Sequence, residues 1–224
     1  MMLLALLLVA CDGAQATSGS VAFSDDGGAT WTDVSEAFPL EQAVRGVSYD
    51  GAGRWVAVGS RGVATSTDGI DWTDVTEAYP HRASPNAVAH ASDLGWVAVG
   101  TAGHIATSKD GLRWEAAEVD VVAALQLTTV AAGDGGLWMA AGGRVGRAYL
   151  TSSTDGLAWT DTREGYPHQD RAIRELAHAN GLWIALGERG TAAASPDGLT
   201  WNDLSDTLLG ELDARHLAAA RPSR

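Results

Sequence analysis

Cysteine occurs once in the 224 residues, at Cys11, so no intrachain disulfide can form and no zinc site can rest on thiolates. Lysine also occurs once, against 14 arginines, and the 15 basic side chains face 28 acidic ones, a formal charge of −13. That shortage of cations argues against a nucleic-acid partner, which needs clustered Lys and Arg for its phosphates. No apolar run approaches the roughly 20 residues that span a bilayer. Phenylalanine occurs only twice. In its place stand nine tryptophans, with 27 glycines, and a hydrophobic share of 46% rules out wholesale disorder.

Residues 1–10 (MMLLALLLVA) fit the apolar core of a secretory leader, and residues 11–20 read as a small, polar tether. The run ends in Leu8-Val9-Ala10-Cys11, which resembles the bacterial lipoprotein signal, with the one cysteine where that signal places its lipidated residue. The resemblance implies loss of residues 1–10, a lipid on Cys11, and a domain at the cell envelope that meets the membrane through the lipid alone. One feature departs from it, since no Lys or Arg precedes the apolar run. A plain secretory leader or a misplaced start is the alternative.

The tryptophans fall into a repeat. Five segments align: SDDGGATW at 24–31, STDGIDW at 66–72, SKDGLRW at 108–114, STDGLAW at 153–159 and SPDGLTW at 195–201. Their leading serines lie 42, 42, 45 and 42 residues apart. A second motif alternates with the first, WVAVG at 55–59 and 96–100, WMAAG at 138–142 and WIALG at 183–187, and together the two use all nine tryptophans. Each unit reads as four short strands, here called a to d, broken by Gly-rich or Asp-Gly turns. In the unit from Val44 these are 46–49, 54–58, 63–66 and 72–75. Four antiparallel strands every 40 to 45 residues predict an all-β chain folded as a β-propeller over residues 21–220.

The Ser-Asp-Gly-Trp segment resembles the Asp-box, or BNR repeat, of sialidases, sortilin-like receptors and the photosystem II assembly factor family. The first copy has the full spacing at Ser24, Asp26, Gly28, Thr30 and Trp31; the other four are one residue shorter. Physically the box is a hairpin clamp. Glycine takes the positive φ of the turn, while Ser and Asp bond to the turn backbone. The box tryptophans Trp31, Trp72, Trp114, Trp159 and Trp201 pack between units. Asp26, Asp68, Asp110, Asp155 and Asp197 are therefore read as structural, because one carboxylate per hairpin cannot supply the six or more oxygens that calcium takes.

Complete units begin near Val44, Ala87, Thr128 and Ile173, giving four blades. A fifth is expected from the two ends of the chain, with strands c and d from 21–34 and strand a from 215–220. No b-strand motif is left for it. Either the blade has three strands, patched by residues 13–17, or the chain has lost part of its C-terminus.

Sorting the turns by face puts the a–b and box turns, rich in Asp, on one side. The b–c turns and d–a connections, rich in Arg, lie on the other. The d–a loops carry a looser repeat, EAFP at 36–39, EAYPH at 77–81 and EGYPH at 164–168. Arg61, Tyr79, His81, Arg82, Tyr166, His168, Arg171 and Arg189 are thus candidate ligand-binding residues for a protein, glycan or other anionic ligand. The alternative is that these loops pack on the blade and their arginines pair with nearby Glu.

The Asp-box resemblance brings a sialidase-like glycoside hydrolase into view, but the Arg-Ile-Pro segment that marks the first sialidase arginine is missing, and the chain is much shorter than a six-bladed catalytic domain. No nucleophile elbow or phosphate loop occurs, and the six histidines lack metal-ligand spacing. The expectation is a monomeric, non-catalytic binding propeller without metal or cofactor. The assembly-factor resemblance adds docking on a membrane protein as an alternative.

Overall fold

The computed structural model describes residues 6–10, 20–24, 26, 28–40, 43–60, 62–119 and 125–205. Runs rich in β-branched, aromatic and small residues, cut every few positions by Asp-Gly or Gly-rich turns, form strands and single 3-10 turns up to Leu204. Four successive units each fold into an antiparallel sheet in the order a–b–c–d. The second sheet in chain order is Val44–Tyr49, Trp55–Gly59, Gly62–Ser66 and Trp72–Asp74. The third is Pro85–Ala91, Gly95–Gly100, Ile105–Ser108 and Glu115–Ala116. Gln126–Ala132, Trp138–Arg144, Arg147–Ser153 and Ala158–Asp161 form the fourth. Ile173–Ala179, Leu182–Gly187, Ala192–Ser195 and Asn202–Asp203 form the fifth. The fourth sheet gains one parallel strand, Glu118–Val119, from the chain leaving the third.

The first sheet has three strands, Leu6–Ala10, Ser20–Ser24 and Thr32–Asp33. Leu6–Ala10, inside the run read as a leader, occupies the b position. Leu6 faces Ser24 and Ala10 faces Ser20, the register in which Trp55 faces Ser66 and Gly59 faces Gly62. Residues 13–17 and 215–220, offered above for this sheet, lie outside the described residues, as do Cys11 and Arg61.

The cores lie between neighbouring sheets, as stacked repeats require, since one sheet cannot bury both of its own faces. Val56, Val58 and Val63 of the second sheet meet Val88, Trp96 and Trp114 of the third. Val97, Val99 and Ile105 of the third meet Leu127, Trp138 and Trp159 of the fourth. Met139 and Leu150 of the fourth meet Ile173, Trp183 and Trp201 of the fifth. Val21 and Phe23 of the first meet Trp55 and Trp72 of the second. The box turns of the third, fourth and fifth sheets fold over the b strand of the preceding sheet. A Cβ on Gly111, at φ +70°, would lie 2.9 Å from Val56 Cγ2, and one on Gly198, at φ +76°, 2.7 Å from Met139 Sδ. Glycine is required there for both its backbone and its lack of bulk.

Every complete a strand also carries a β-bulge within two residues of its start, at Arg45, Asn86, Thr128 and Arg174. The bulged residues reach sideways. Arg45 donates to Asn86 Oδ1 (2.5 Å), Asn86 Nδ2 to the Leu127 carbonyl (2.8 Å) and Thr128 Oγ1 to the Ile173 carbonyl (3.0 Å), so each links one sheet to the next.

Candidate functional site

The box turns use up their own polar groups. In the second sheet the Ser66 hydroxyl accepts the Gly69 N–H (2.8 Å) and donates to Asp68 Oδ1 (2.9 Å). Asp68 Oδ1 in turn accepts the N–H groups of Ile70 and Asp71, each at 2.8 Å, and Trp72 Nε1 donates to the Gly69 carbonyl (3.0 Å). The same bonds from serine and aspartate recur at Asp110, Asp155 and Asp197. The longer first copy closes on the N–H and hydroxyl of Thr30 instead. The Thr30 bonds hold the Asp26 carboxyl down to about 2, and the N–H groups of Ile70 and Asp71 hold Asp68 below the usual carboxylate range. Trp114 is the exception, for its indole N–H is buried without a partner. Trp31 differs too, standing 38% exposed while the other four box tryptophans are buried.

On the opposite face the candidates separate into three groups. Tyr79 and Tyr166 are buried, at 8% and 1% exposure, which corrects their assignment to a displayed surface. Their rings pack edge-on against Trp114 and Trp201, both at 5.8 Å, and Phe38 packs likewise on Trp72 at 5.2 Å. The Phe/Tyr-Pro repeat is therefore a staple in which the aromatic of one loop seats the box tryptophan of the next sheet. Burial pushes both tyrosine hydroxyls well above the ordinary phenol range.

The histidines are partly buried and engaged. His168 Nε2 lies 2.9 Å from Asp203 Oδ1 and 3.0 Å from Ser205 Oγ. His81 Nε2 lies 3.0 Å from the Ile105 carbonyl, and the His81 ring stacks on His104 at 4.2 Å. Burial, then the neighbouring His81, lowers the His104 pKa.

The arginines divide by pairing. Arg171 is held by Asp170, and Arg174, which sequence reasoning did not single out, is held by Glu188. Arg82 and Arg189 are exposed and make no ion pair among the described residues. Arg189 sits at φ +59° in the tight turn Glu188–Gly190, the conformation Ala102 adopts in the matching turn Thr101–Gly103.

Two further features were missed in the sequence. Beyond the box, strand d ends in Asp-x-Ser/Thr at Asp33, Asp74 and Asp203. There the aspartate accepts the N–H two residues on, and the Ser35, Thr76 or Ser205 hydroxyl accepts the N–H of Val21, Val63 or Ala192 in strand c. The second is Glu175, whose carboxyl burial raises to about 7. It stands on an a strand just after the bulge, where the other sheets have Gly46, Ala87 and Thr129. A lone Glu among small residues at one repeat position was the available signal. Among the described residues no group of three or more His, Cys, Asp or Glu could hold a metal ion.

No family model matches the chain, and no curated protein matches it. Solved structures do. The structure of YCF48 bound to D1 peptide is similar with a TM-score of 0.60 at 18% identity, over 83% of this chain and 60% of that one. YCF48 from Cyanidioschyzon merolae gives 0.50 at 15% identity, over 96% and 89%. The WD40 β-propeller domain of Doa1 gives 0.59 at 13% identity, over 80% and 58%. The chain thus spans 60% and 58% of the length of the first and third of these. The likeness is one of shape, and it identifies the repeating four-stranded sheets as those of a β-propeller.

Proposed function

We propose that the chain is a five-bladed, non-catalytic propeller that binds an anionic protein segment on the face formed by its d–a loops and b–c turns. The observation that carries this reading is the pair Arg82 and Arg189, exposed on that face with no ion-pair partner among the described residues, in a chain of net charge −13. Free cations on an otherwise acidic molecule steer an anionic partner and fix its register. A fold of this kind holds a peptide in YCF48. A protein partner is favoured over a glycan because sugars stack on exposed aromatic rings. Among the described residues the exposed Trp and Tyr rings, Trp31 and Tyr49, lie at the box-turn and a–b ends of their strands, away from Arg82 and Arg189. Catalysis is not proposed: Tyr79 and Tyr166 are buried, and the box aspartates are occupied by their own turns.

The test is anisotropy of labelled acidic and neutral peptides with the purified chain, beside an Arg82→Ala/Arg189→Ala variant. Saturable, salt-sensitive binding of acidic peptides that the variant loses supports the reading; equal binding by the variant rejects it. Ala102 shows that alanine fits the Arg189 turn, so the variant keeps its fold.

The lipoprotein-like Leu8-Val9-Ala10-Cys11 supports an envelope location with the lipid on Cys11. The pairing of Leu6–Ala10 with Ser20–Ser24 then belongs to the uncleaved chain, and cleavage leaves Ser20–Ser24 as an open edge. Intact mass of the membrane-extracted protein decides between a lipidated Cys11 terminus and a retained strand.

A further inference from the structure

The third sheet lacks the Asp-x-Ser/Thr clamp that ends strand d in the first, second and fifth. Ala116 pairs with Ala106 as Asp203 pairs with Ala193 and Asp74 with Ala64. The next residue, Ala117, donates to the Ile105 carbonyl (3.0 Å) as Leu204 donates to that of Ala192 (2.9 Å). Ala116 therefore stands in the place of Asp203, and Glu118 in that of Ser205. Glu118 has turned away, because its N–H donates to the Leu157 carbonyl of the fourth sheet (2.8 Å). The departure leaves a cavity of about 210 Å³, lined by His81, His104, Ile105, Ala117, Val119 and the turn residues Ala102 and Gly103.

His81 is the counterpart of His168. Each follows a Pro after a buried tyrosine and meets that ring edge-on, at 5.7 and 5.8 Å, and each tyrosine rests on the box tryptophan of the next sheet. His168 has a carboxylate and a hydroxyl at its Nε2. His81 has the Ile105 carbonyl and, among the described residues, no carboxylate partner, and beside it His104 replaces Thr191 of the fifth sheet.

We propose that this cavity is a carboxylate-binding site, where a carboxyl group from outside the chain takes the place beside His81 and His104 that Asp203 takes beside His168. The site goes beyond the arginine reading and uses neither Arg82 nor Arg189. His81 gives its Nε2–H to the Ile105 carbonyl, so the donors left for a carboxylate are an N–H of His104 and, once the His81 ring is protonated, its Nδ1–H. Two imidazoles at 4.2 Å resist carrying charge together, and a bound anion removes that penalty, so ligand and proton bind cooperatively. The walls bring no other titratable side chain among the described residues, and Tyr79, the further ring against His81, stays neutral. Ile105, Ala102, Ala117 and Val119 make the rest of the wall apolar, which suits a short aliphatic acid or a chain end with a small apolar residue.

The test follows the histidine ring signals of the full chain by NMR at about pH 6 while acetate, propionate, or a peptide ending in Ala-Val is added. The peptide is supplied as the free acid and as the amide. The signals of His81 and His104 should move together and saturate, with those of His168 still, and the His104 midpoint should rise by half a pH unit or more. Binding of the free-acid peptide at least tenfold tighter than propionate identifies a chain end as the source; the reverse identifies a free acid. Ala116→Asp, which copies the arrangement at Asp203 on an exposed strand end, should weaken binding at least tenfold. The proposal is overturned if no carboxylate gives a saturable shift, if the amide binds as well as the acid, or if Ala116→Asp leaves the response unchanged. An Arg82→Ala/Arg189→Ala chain should respond as the parent does, which separates this test from the peptide test above.

Discussion

The Tyr166 ring meets the Trp201 ring edge-on, with centroids 5.8 Å apart and planes at 82°. Tyr166 comes from the loop after the fourth sheet and Trp201 from the box of the fifth, so this contact joins consecutive blades. Tyr166→Ala should lower stability by about 3–5 kcal/mol, the range for deleting a large buried aromatic. Tyr166→Phe keeps the edge contact and should cost about 1 kcal/mol or less. Urea unfolding of the two variants measures both, and equal losses would mean that the hydroxyl, not the ring, holds the loop.

Ser195 is buried, accepts the Gly198 N–H at 2.8 Å and donates to Asp197 at 2.9 Å. Ser195→Ala leaves that N–H without its acceptor and should destabilise by about 1–3 kcal/mol. Ser153→Ala, in the same position of the fourth sheet, should do the same. The sites lie in different turns with different partners, so the double variant should lose close to the sum. Denaturant midpoints at constant slope provide the check.

The box aspartates predict an acid limb. Backbone N–H groups of Ala158 and Leu157 lower the Asp155 pKa, and those of Thr200 and Leu199 lower that of Asp197. A carboxyl depressed in the folded state contributes stability above its unfolded value, about 3.9, and loses it as pH falls through the folded value. The thermal midpoint should therefore fall between about pH 4 and pH 2. Asp68→Asn should be less stable than the parent at neutral pH and converge with it at the acid end of that range, as calorimetry across the range would show.

The blade pattern was legible because tryptophan is scarce in most chains and here marks two fixed positions per repeat. The register of the box and the b motif carried the four complete sheets. The loops read differently. Tyr79 and Tyr166 looked like surface residues because Pro and His surround them, yet their partners Trp114 and Trp201 lie 35 residues on in both cases, a separation that local pattern does not reveal. The bulge residues Arg45, Asn86, Thr128 and Arg174 share a position but not one residue type, so only pairing exposes them. The b strand of the first sheet hid behind a leader-like composition, because five apolar residues serve a strand as well as a leader.

Glu175 predicts a pH effect of opposite sign to the boxes. The Thr129 hydroxyl accepts the Leu176 N–H at 3.1 Å and donates to the Glu175 carboxyl, which favours the charged form, but burial outweighs it and raises the carboxyl to about 7. A carboxyl raised on folding binds its proton more tightly in the native state. Stability is then greatest below the unfolded value near pH 4.3, falls as pH rises towards about 7, and stays low above it. Glu175→Gln keeps a partner for Thr129 and removes the buried charge. It should raise stability at pH 8 by roughly 1–2 kcal/mol, allowing for the carboxyl's partial exposure, and leave it unchanged near pH 4. That gain corresponds to roughly 2–8 °C in thermal midpoint for a chain of this size. An equal gain at both pH values would trace the effect to packing instead of charge.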